Sequence, residues 1–227
     1  MTRRTPIPKP LGRPRDVDSN ETRSRLRAAA RQAFAASGYD AASNKQIAED
    51  AGITSGAIYH YYPSKADLYV AVMEEVQGVV YSTFESAIAE RRTLVERLGA
   101  TFDAAVELNR RDPSLASFIV NVPTEAQRHP DLEELLRPAR AVTVAFTNRL
   151  VGDAARNGEL PAGVDPRALA DLVNAVLAGL ARFSSQIDDA DRHAGAVGAL
   201  KQVIGGCLVA ASAPVLAVSG RPATMAP

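Results

Sequence analysis

The stretch spanning residues 43–65 constrains this chain more than any other. It holds two apolar-patterned segments of about two turns each, too short to persist alone as helices in water. Each has a start and a stop written into it. Ser43-Asn-Lys-Gln46 is spaced as a capping box, in which the serine oxygen and Gln46 satisfy orphan amides reciprocally. Gly52 can take positive φ, Thr54 can cap a second segment over residues 55–62, and Pro63 helps to end it. Segments this short survive by crossing steeply over one shared apolar face. Ile47, Ala51, Ile53 and Ile58 supply that face, with Ala48 small at the contact. A tight two-helix corner is predicted.

The flanking sequence reads as helix throughout. A first helix is expected over residues 21–37, ending at Gly38 as a C′ residue, with Leu26, Ala30 and Phe34 in one stripe. Ser64-Lys-Ala-Asp67 repeats the capping-box spacing and opens a helix over 66–90. Further helices are expected over 93–110 and, briefly, 114–120, followed by a loop through Pro123 and Pro130. A long helix over 131–156 stops at Asn157-Gly158; Asp165 caps another, with Pro166 at N1, to about 186; the last spans 191–210. No segment alternates as a strand should. The aromatic content is 5% with no Trp, and Ala, Leu, Val and Arg abound, a composition suited to helices. The expected fold is all-α. A three-helix helix-turn-helix domain (18–66) precedes a larger helical domain for ligand binding and dimerisation (67–210), between a disordered basic arm (1–17) and a disordered tail (211–227).

The chemistry of the corner points to nucleic acid. The net charge is zero, yet residues 1–65 carry 11 Lys/Arg against 6 Asp/Glu and the remainder 15 against 20, so one end suits a polyanion. The outward face of the second short helix would present Thr54, Ser55, Gly56, Tyr59, His60 and Tyr61. Hydroxyls and imidazoles reach phosphates or base edges, and Gly56 with Ala57 allows close approach to a groove. The helix N-terminus favours phosphate. Lys65, in the first turn of the next helix, sits against the macrodipole, and a phosphate partner would account for it. In such a corner the second helix enters the major groove of double-stranded DNA. The plain alternative is an ordinary helical hairpin with a surface tyrosine cluster.

Other classes find little support. Cys207 is the single cysteine, which excludes an intrachain disulfide and a cysteine metal cluster and reads as a buried thiol. The Pro- and Arg-rich start lacks an apolar core of the secretory kind, and the apolar stretch 203–218 is broken by Gly205, Gly206 and Pro214. A cytoplasmic chain without a membrane partner is expected. His129 and His193 read as caps or exposed side chains rather than metal ligands. Asp188, Asp189 and Asp191 lack the glycine and glutamate of a calcium loop, and Gly195 and Gly198 lack the strand of a dinucleotide fingerprint. No enzyme, cofactor or metal is expected.

Two features of the larger domain fit assembly and sensing. Leu169, Leu172, Val173, Val176, Leu177 and Leu180 make one apolar face, continued by Val197, Leu200, Ile204 and Leu208. Pairing with a second copy in a four-helix interface would cover it; burial within one subunit is the alternative. Tyr81, Phe84, Phe102, Phe118 and Phe146 can surround a pocket for a largely apolar ligand, with Asn121, Arg140 and Asn148 as polar contacts.

Residues 21–68 resemble the DNA-binding domain of the TetR (tetracycline-repressor) family of bacterial regulators. FAASGYDAAS and IAEDAGITSGAIYHYYPSKADL carry the resemblance; Tyr62 and Pro63 depart from the family's usual Phe or Val and Lys. The resemblance implies a helical homodimer that binds a palindromic operator and is released by a small molecule. It places Ser43, Asn44, Tyr59, Tyr61 and Lys65 on the DNA, largely at backbone phosphates, with Thr54, Ser55, Gly56 and His60 nearest the bases. Arg13 and Arg15 of the arm could enter a minor groove, or the arm could be a solubilising tail. A non-sensing architectural DNA binder, and an enzyme with a vestigial DNA domain, stay open as alternatives, as does activator against repressor.

Overall fold

A computed structural model describes residues 15–187 and 189–210, with side chains over 19–187 and 189–206. Among the described residues there are nine helices and no strand. They are α1 (Arg15–Ala41), α2 (Asn44–Asp50), α3 (Ile58–Tyr61), α4 (Lys65–Ile88), α5 (Leu94–Arg111), α6 (Pro113–Arg128), α7 (Pro130–Arg156), α8 (Pro166–Ile187) and α9 (Ala190–Ala210). The fold is all-α, as the sequence predicts. The tail and the arm up to residue 14 lie outside the described residues.

Local stop and start signals act as their chemistry dictates. Gly38 breaks α1 at φ 77, ψ −179, a region that glycine alone occupies without strain, so the chain turns before residues 39–41. Gly52 at φ 71 makes the corner, with the Ile53 amide returning to the Ala48 carbonyl at 2.9 Å. Gly158 at φ 71 stops α7, and Asp165 caps α8 by accepting from the Arg167 amide at 3.0 Å.

Several expectations are corrected. Helix α1 begins at Arg15, inside the stretch expected to be arm. The Ser43 box closes only on one side: Ser43 accepts from the Gln46 amide at 3.5 Å, while the Gln46 side chain donates to Asp50 at 2.9 Å. An i,i+4 partner on the helix surface outcompetes the backbone there. The helix expected over 55–62 is helical only over Ile58–Tyr61; the residues before it form turns closed by the Ala57 amide to the Thr54 carbonyl at 2.9 Å. The loop expected around Pro123 is the continuation of α6. Pro123 forfeits one helical hydrogen bond, but Phe118, Val122 and Ala126 bury a continuous stripe against α1, which outweighs that loss. Pro138 sits inside α7 likewise, flanked by buried Leu136 and Ala139.

Two cores hold the molecule. The first joins α1, α2, α3, α4, α6 and α7 around Leu26, Phe34, Ile47, Ile58, Leu68 and Tyr69. The corner therefore has no core of its own. Phe34, Tyr69 and Phe118 pack as tilted rings across the junction, Tyr69 lying 4.9 Å from each of the other two, and such pairs add about 0.5–1.5 kcal/mol beyond their burial. Polar contacts line the α1–α6 seam: Arg31 pairs with Asp112 and donates to Ser114 at 2.9 Å, and Asn121 donates to the Ala35 carbonyl at 3.3 Å. The second core joins α4, α5, α7, α8 and α9 around Phe84, Leu98, Phe102, Phe146, Val173 and Val197. Helix α4 contributes to both.

Candidate nucleic-acid interface and effector cavity

The corner presents one outward surface. Ser43, Thr54, Ser55, Gly56, Tyr59 and His60 are exposed, Asn44 and Tyr61 half-buried, and Tyr62 buried. Core packing of Ile47 and Ile58 fixes the angle at which the two segments cross, and so brings residues from both onto this surface. Asn44 donates to the Tyr59 hydroxyl at 3.3 Å, steadying a ring that is 56% exposed. The Thr54 hydroxyl accepts from the Ala57 amide at 3.3 Å, which sets its rotamer at the start of the segment. A Cβ added at Gly56 would meet nothing within 4 Å, so the surface is open there. Tyr62 faces inward, its hydroxyl accepting from Arg27 at 3.2 Å.

Lys65 has a partner that sequence reading missed. Its ammonium lies 4.8 Å from the centre of the Tyr39 ring and donates to the Asp40 carbonyl at 3.1 Å, near the C-terminal end of α1. Burial pushes its pKa down, and the charges of Asp40 and Glu125 oppose that. This contact with α1 accounts for a lysine at the start of α4 even without a phosphate. Arg13 lies outside the described residues; Arg15 starts α1, and its side chain is not described.

Between α4 and the helices that follow it is a cavity of about 170 Å³. Residues from α4, α5, α6, α7, α8 and α9 line it, among them Tyr81 and Phe84 from the expected set. The other six lie elsewhere. Phe102 and Phe146 pack in the second core and Phe118 in the first, Asn121 binds α1, Arg140 pairs with Glu133 at the surface, and Asn148 is exposed. Helical periodicity marks all of these aromatics as inward but cannot say which neighbours leave a void.

The polar groups on the cavity wall are Gln77, Tyr81, Asn109, Thr143, Asn174, Ser184 and His193, and no charged side chain is among the lining residues. His193 is the informative one. Expected at the surface, it is 3% exposed, and among the described residues neither ring nitrogen has a hydrogen-bond partner; nor does Asn174 Oδ1. Burial pushes the His193 pKa down, which favours the neutral ring. Placing the helix start near residue 190 and counting one turn on could have turned it inward.

The faces of α8 and α9 divide. Val173 and Val197 are buried within the subunit, and Leu169, Val176, Leu177, Leu180, Leu200 and Ile204 are half-buried against the second core. Leu172 and Val203 face outward, 58% and 61% exposed. The side chain of Leu208 is outside the described set. By length and composition α8 could also cross a membrane, though here it packs on α6, α7 and α9.

The comparisons with known proteins agree with this architecture. Residues 26–72 match the N-terminal model of the bacterial regulatory proteins of the tetR family. Residues 94–203 match the C-terminal model of BetI-type transcriptional repressors. The HTH-type transcriptional regulator UidR of Escherichia coli is 26% identical over 201 residues, covering 86% of this chain and 96% of that one. The structure of GusR from Salmonella enterica is 30% identical with a TM-score of 0.67, covering 83% and 95% of the two chains. The structure of FadR from Bacillus subtilis, in complex with stearoyl-CoA, shares the fold at 20% identity with a TM-score of 0.67, over 83% and 98%. With its helix-turn-helix corner, its two cores joined through α4 and these likenesses along most of its length, this chain belongs to the TetR family of bacterial transcriptional regulators.

Proposed function

We propose that the protein is a homodimeric repressor that binds an inverted-repeat DNA operator through its corner and leaves it when a neutral, largely apolar small molecule enters the cavity. The observation that carries this reading is the cavity wall: apolar residues with no charge, and three unpartnered polar atoms on α8 and α9. Unpaired polar groups in a dry site favour a ligand that completes them. Neutral His193 offers one donor and one acceptor, and Asn174 Oδ1 accepts. A ligand with an apolar body and a hydroxyl or amide at one end matches them, whereas a carboxylate or phosphate would lie buried without a counter-charge. The acyl-CoA held by FadR is therefore not the expected class as a whole, although its acyl chain has the right polarity.

On the DNA, Ser43, Asn44, Tyr59, Tyr61 and Lys65 serve the phosphates, and Thr54, Ser55, Gly56 and His60 the base edges. Arg13 and Arg15 extend the contact toward a minor groove. The exposed face holding Leu172 and Val203 pairs with its copy, which removes the apolar exposure of α8 from water. Two corners would then sit one duplex turn apart, roughly 34–36 Å. The effector reaches them through α6 and α4: Leu115, Ala116 and Ile119 line the cavity on α6, while Phe118 and Asn121 of the same helix contact α1 and the first core. A ligand that tilts α6 moves α1 with it. By linkage, DNA must weaken ligand binding by the same factor.

An electrophoretic shift with the DNA flanking the gene, with and without neutral amphiphiles, tests this. The expected result is a dimer-sized complex that dissociates as ligand is added and is insensitive to anionic analogues. A complex that forms at any sequence and ignores all ligands would favour an architectural DNA binder instead. The protein is expected to act in the cytoplasm, without enzymatic turnover or cofactor.

A further inference from the structure

We propose that Asp40, Glu125 and His129 form a divalent transition-metal site, of zinc type, that clamps the end of α1 to the α6–α7 corner. Asp40 lies far in sequence from Glu125 and His129, which are four residues apart, and the ligand atoms of all three fall within 4.8 Å of one another. His129 Nε2 is 3.2 Å from an Asp40 carboxylate oxygen and 3.9 Å from Glu125 Oε2. Ligands of a tetrahedral zinc, each about 2.0–2.2 Å from the ion, lie about 3.4 Å apart, so an ion between these atoms requires shifts of only a few tenths of an ångström for the two measured pairs. One imidazole and two carboxylates form a mixed nitrogen–oxygen set suited to zinc and its neighbours, with a fourth position left to water.

A second observation points to an ion. Glu125 is 6% exposed, and its Oε2, the atom turned toward His129, has no hydrogen-bond partner among the described residues. Its other oxygen accepts from the Tyr39 amide at 3.2 Å. The backbone is also shaped around this carboxylate, since a Cβ at Gly38 would come within 2.6 Å of Glu125 Oε1. The nearby ammonium of Lys65 goes to the main-chain oxygen of Asp40, so the Asp40 carboxylate meets His129 at 3.2 Å and no ammonium among the described residues reaches Glu125 Oε2. The Tyr39 ring, 4.9 Å from the His129 ring, packs against one side of the site. A buried, half-satisfied carboxylate is unfavourable alone, and a divalent ion would satisfy it.

The position gives the site its consequence. Asp40 follows the break in α1, the helix that carries the corner, while Glu125 is in the last turn of α6 and His129 links α6 to α7. An ion held by all three fixes the DNA-binding part against the sensing part.

The test uses the full chain stripped with chelator, then titrated with ZnCl2 in equilibrium dialysis and with CoCl2 in visible absorption. One equivalent per subunit is expected, with a tetrahedral cobalt spectrum. Asp40→Asn and His129→Gln should each weaken binding by more than about 100-fold, beyond the 10–100-fold typical of a group that only supports a ligand. Asp40 is exposed, so Asp40→Asn keeps the fold, which its unfolding curve checks. Zinc should raise the melting temperature of the parent and leave that of Asp40→Asn unchanged. Substoichiometric binding, or equal binding by parent and both variants, overturns the proposal. The assay contains no DNA, so its failure leaves operator recognition standing, and the reverse holds.

Discussion

Replacing Gly38 by alanine tests whether the α1–α6 junction is as tightly built as its geometry implies. At φ 77, ψ −179 an alanine is strained by about 1–3 kcal/mol. Its Cβ would also meet Glu125 Oε1 at 2.6 Å, so the carboxylate must withdraw and release the Tyr39 amide. A hydrogen bond to a charged group contributes about 1.5–3 kcal/mol. The lower entropy of the unfolded alanine chain returns about 0.4–1 kcal/mol. The net expectation is about 3 kcal/mol of destabilisation, or about 6–12 °C in Tm for a chain of this size. Urea unfolding followed by circular dichroism measures it. Glu125→Ala should shrink the effect of Gly38→Ala to strain less the entropy return, leaving a coupling of about 1.5–3 kcal/mol in the double-mutant cycle. A loss below about 0.5 kcal/mol for Gly38→Ala, or strict additivity of the pair, would refute the reasoning.

Three further outcomes are expected. Lys65→Ala should weaken operator binding similarly for all sequences and flatten its salt dependence by about one ion, whereas Thr54→Ala or His60→Ala should relax the preference at particular base pairs at about 1–3 kcal/mol each; filter binding across salt and operator variants separates the two patterns. Leu172→Asp with Val203→Asp should convert the dimer to a folded monomer with weakened operator affinity, because both side chains are outward in the single subunit; sedimentation at equilibrium reads this, and an unchanged dimer would place the interface elsewhere. His193 should make the protein acid-sensitive. Its folded pKa lies below the unfolded value of about 6.5, so below that pH the unfolded chain binds more protons and stability falls, by at most about 1.4 kcal/mol per pH unit, until the folded ring also titrates. His193→Gln should remove that increment from the stability-against-pH curve and leave the neutral end unchanged.

Much of this was legible in the chain itself. Gly38, Gly52 and Gly158 take positive φ where a helix had to stop, and Ser43, Ser64 and Asp165 cap where orphan amides needed an acceptor, because such events involve only neighbours in sequence. The apolar residues interleaved around Gly52 likewise carried the corner. Pro123 misled, since a local rule about a missing amide was weighed without the buried stripe of Phe118, Val122 and Ala126 that holds α6 together.

What the sequence by itself determined is the class of fold, the turn of the corner at Gly52, and most of the residues turned outward on it, signals that span a few residues each. Tertiary structure alone decided which inward side chains border a void and which fill one. Phe84 and Phe102 look alike in periodicity, yet one lines the cavity and the other does not. It decided as well that Asp40, Glu125 and His129 meet at the end of α1, and that His193 is buried without a partner. Voids and meetings between distant residues depend on how whole helices cross, and crossing angles are a property of summed packing that no short window of sequence contains.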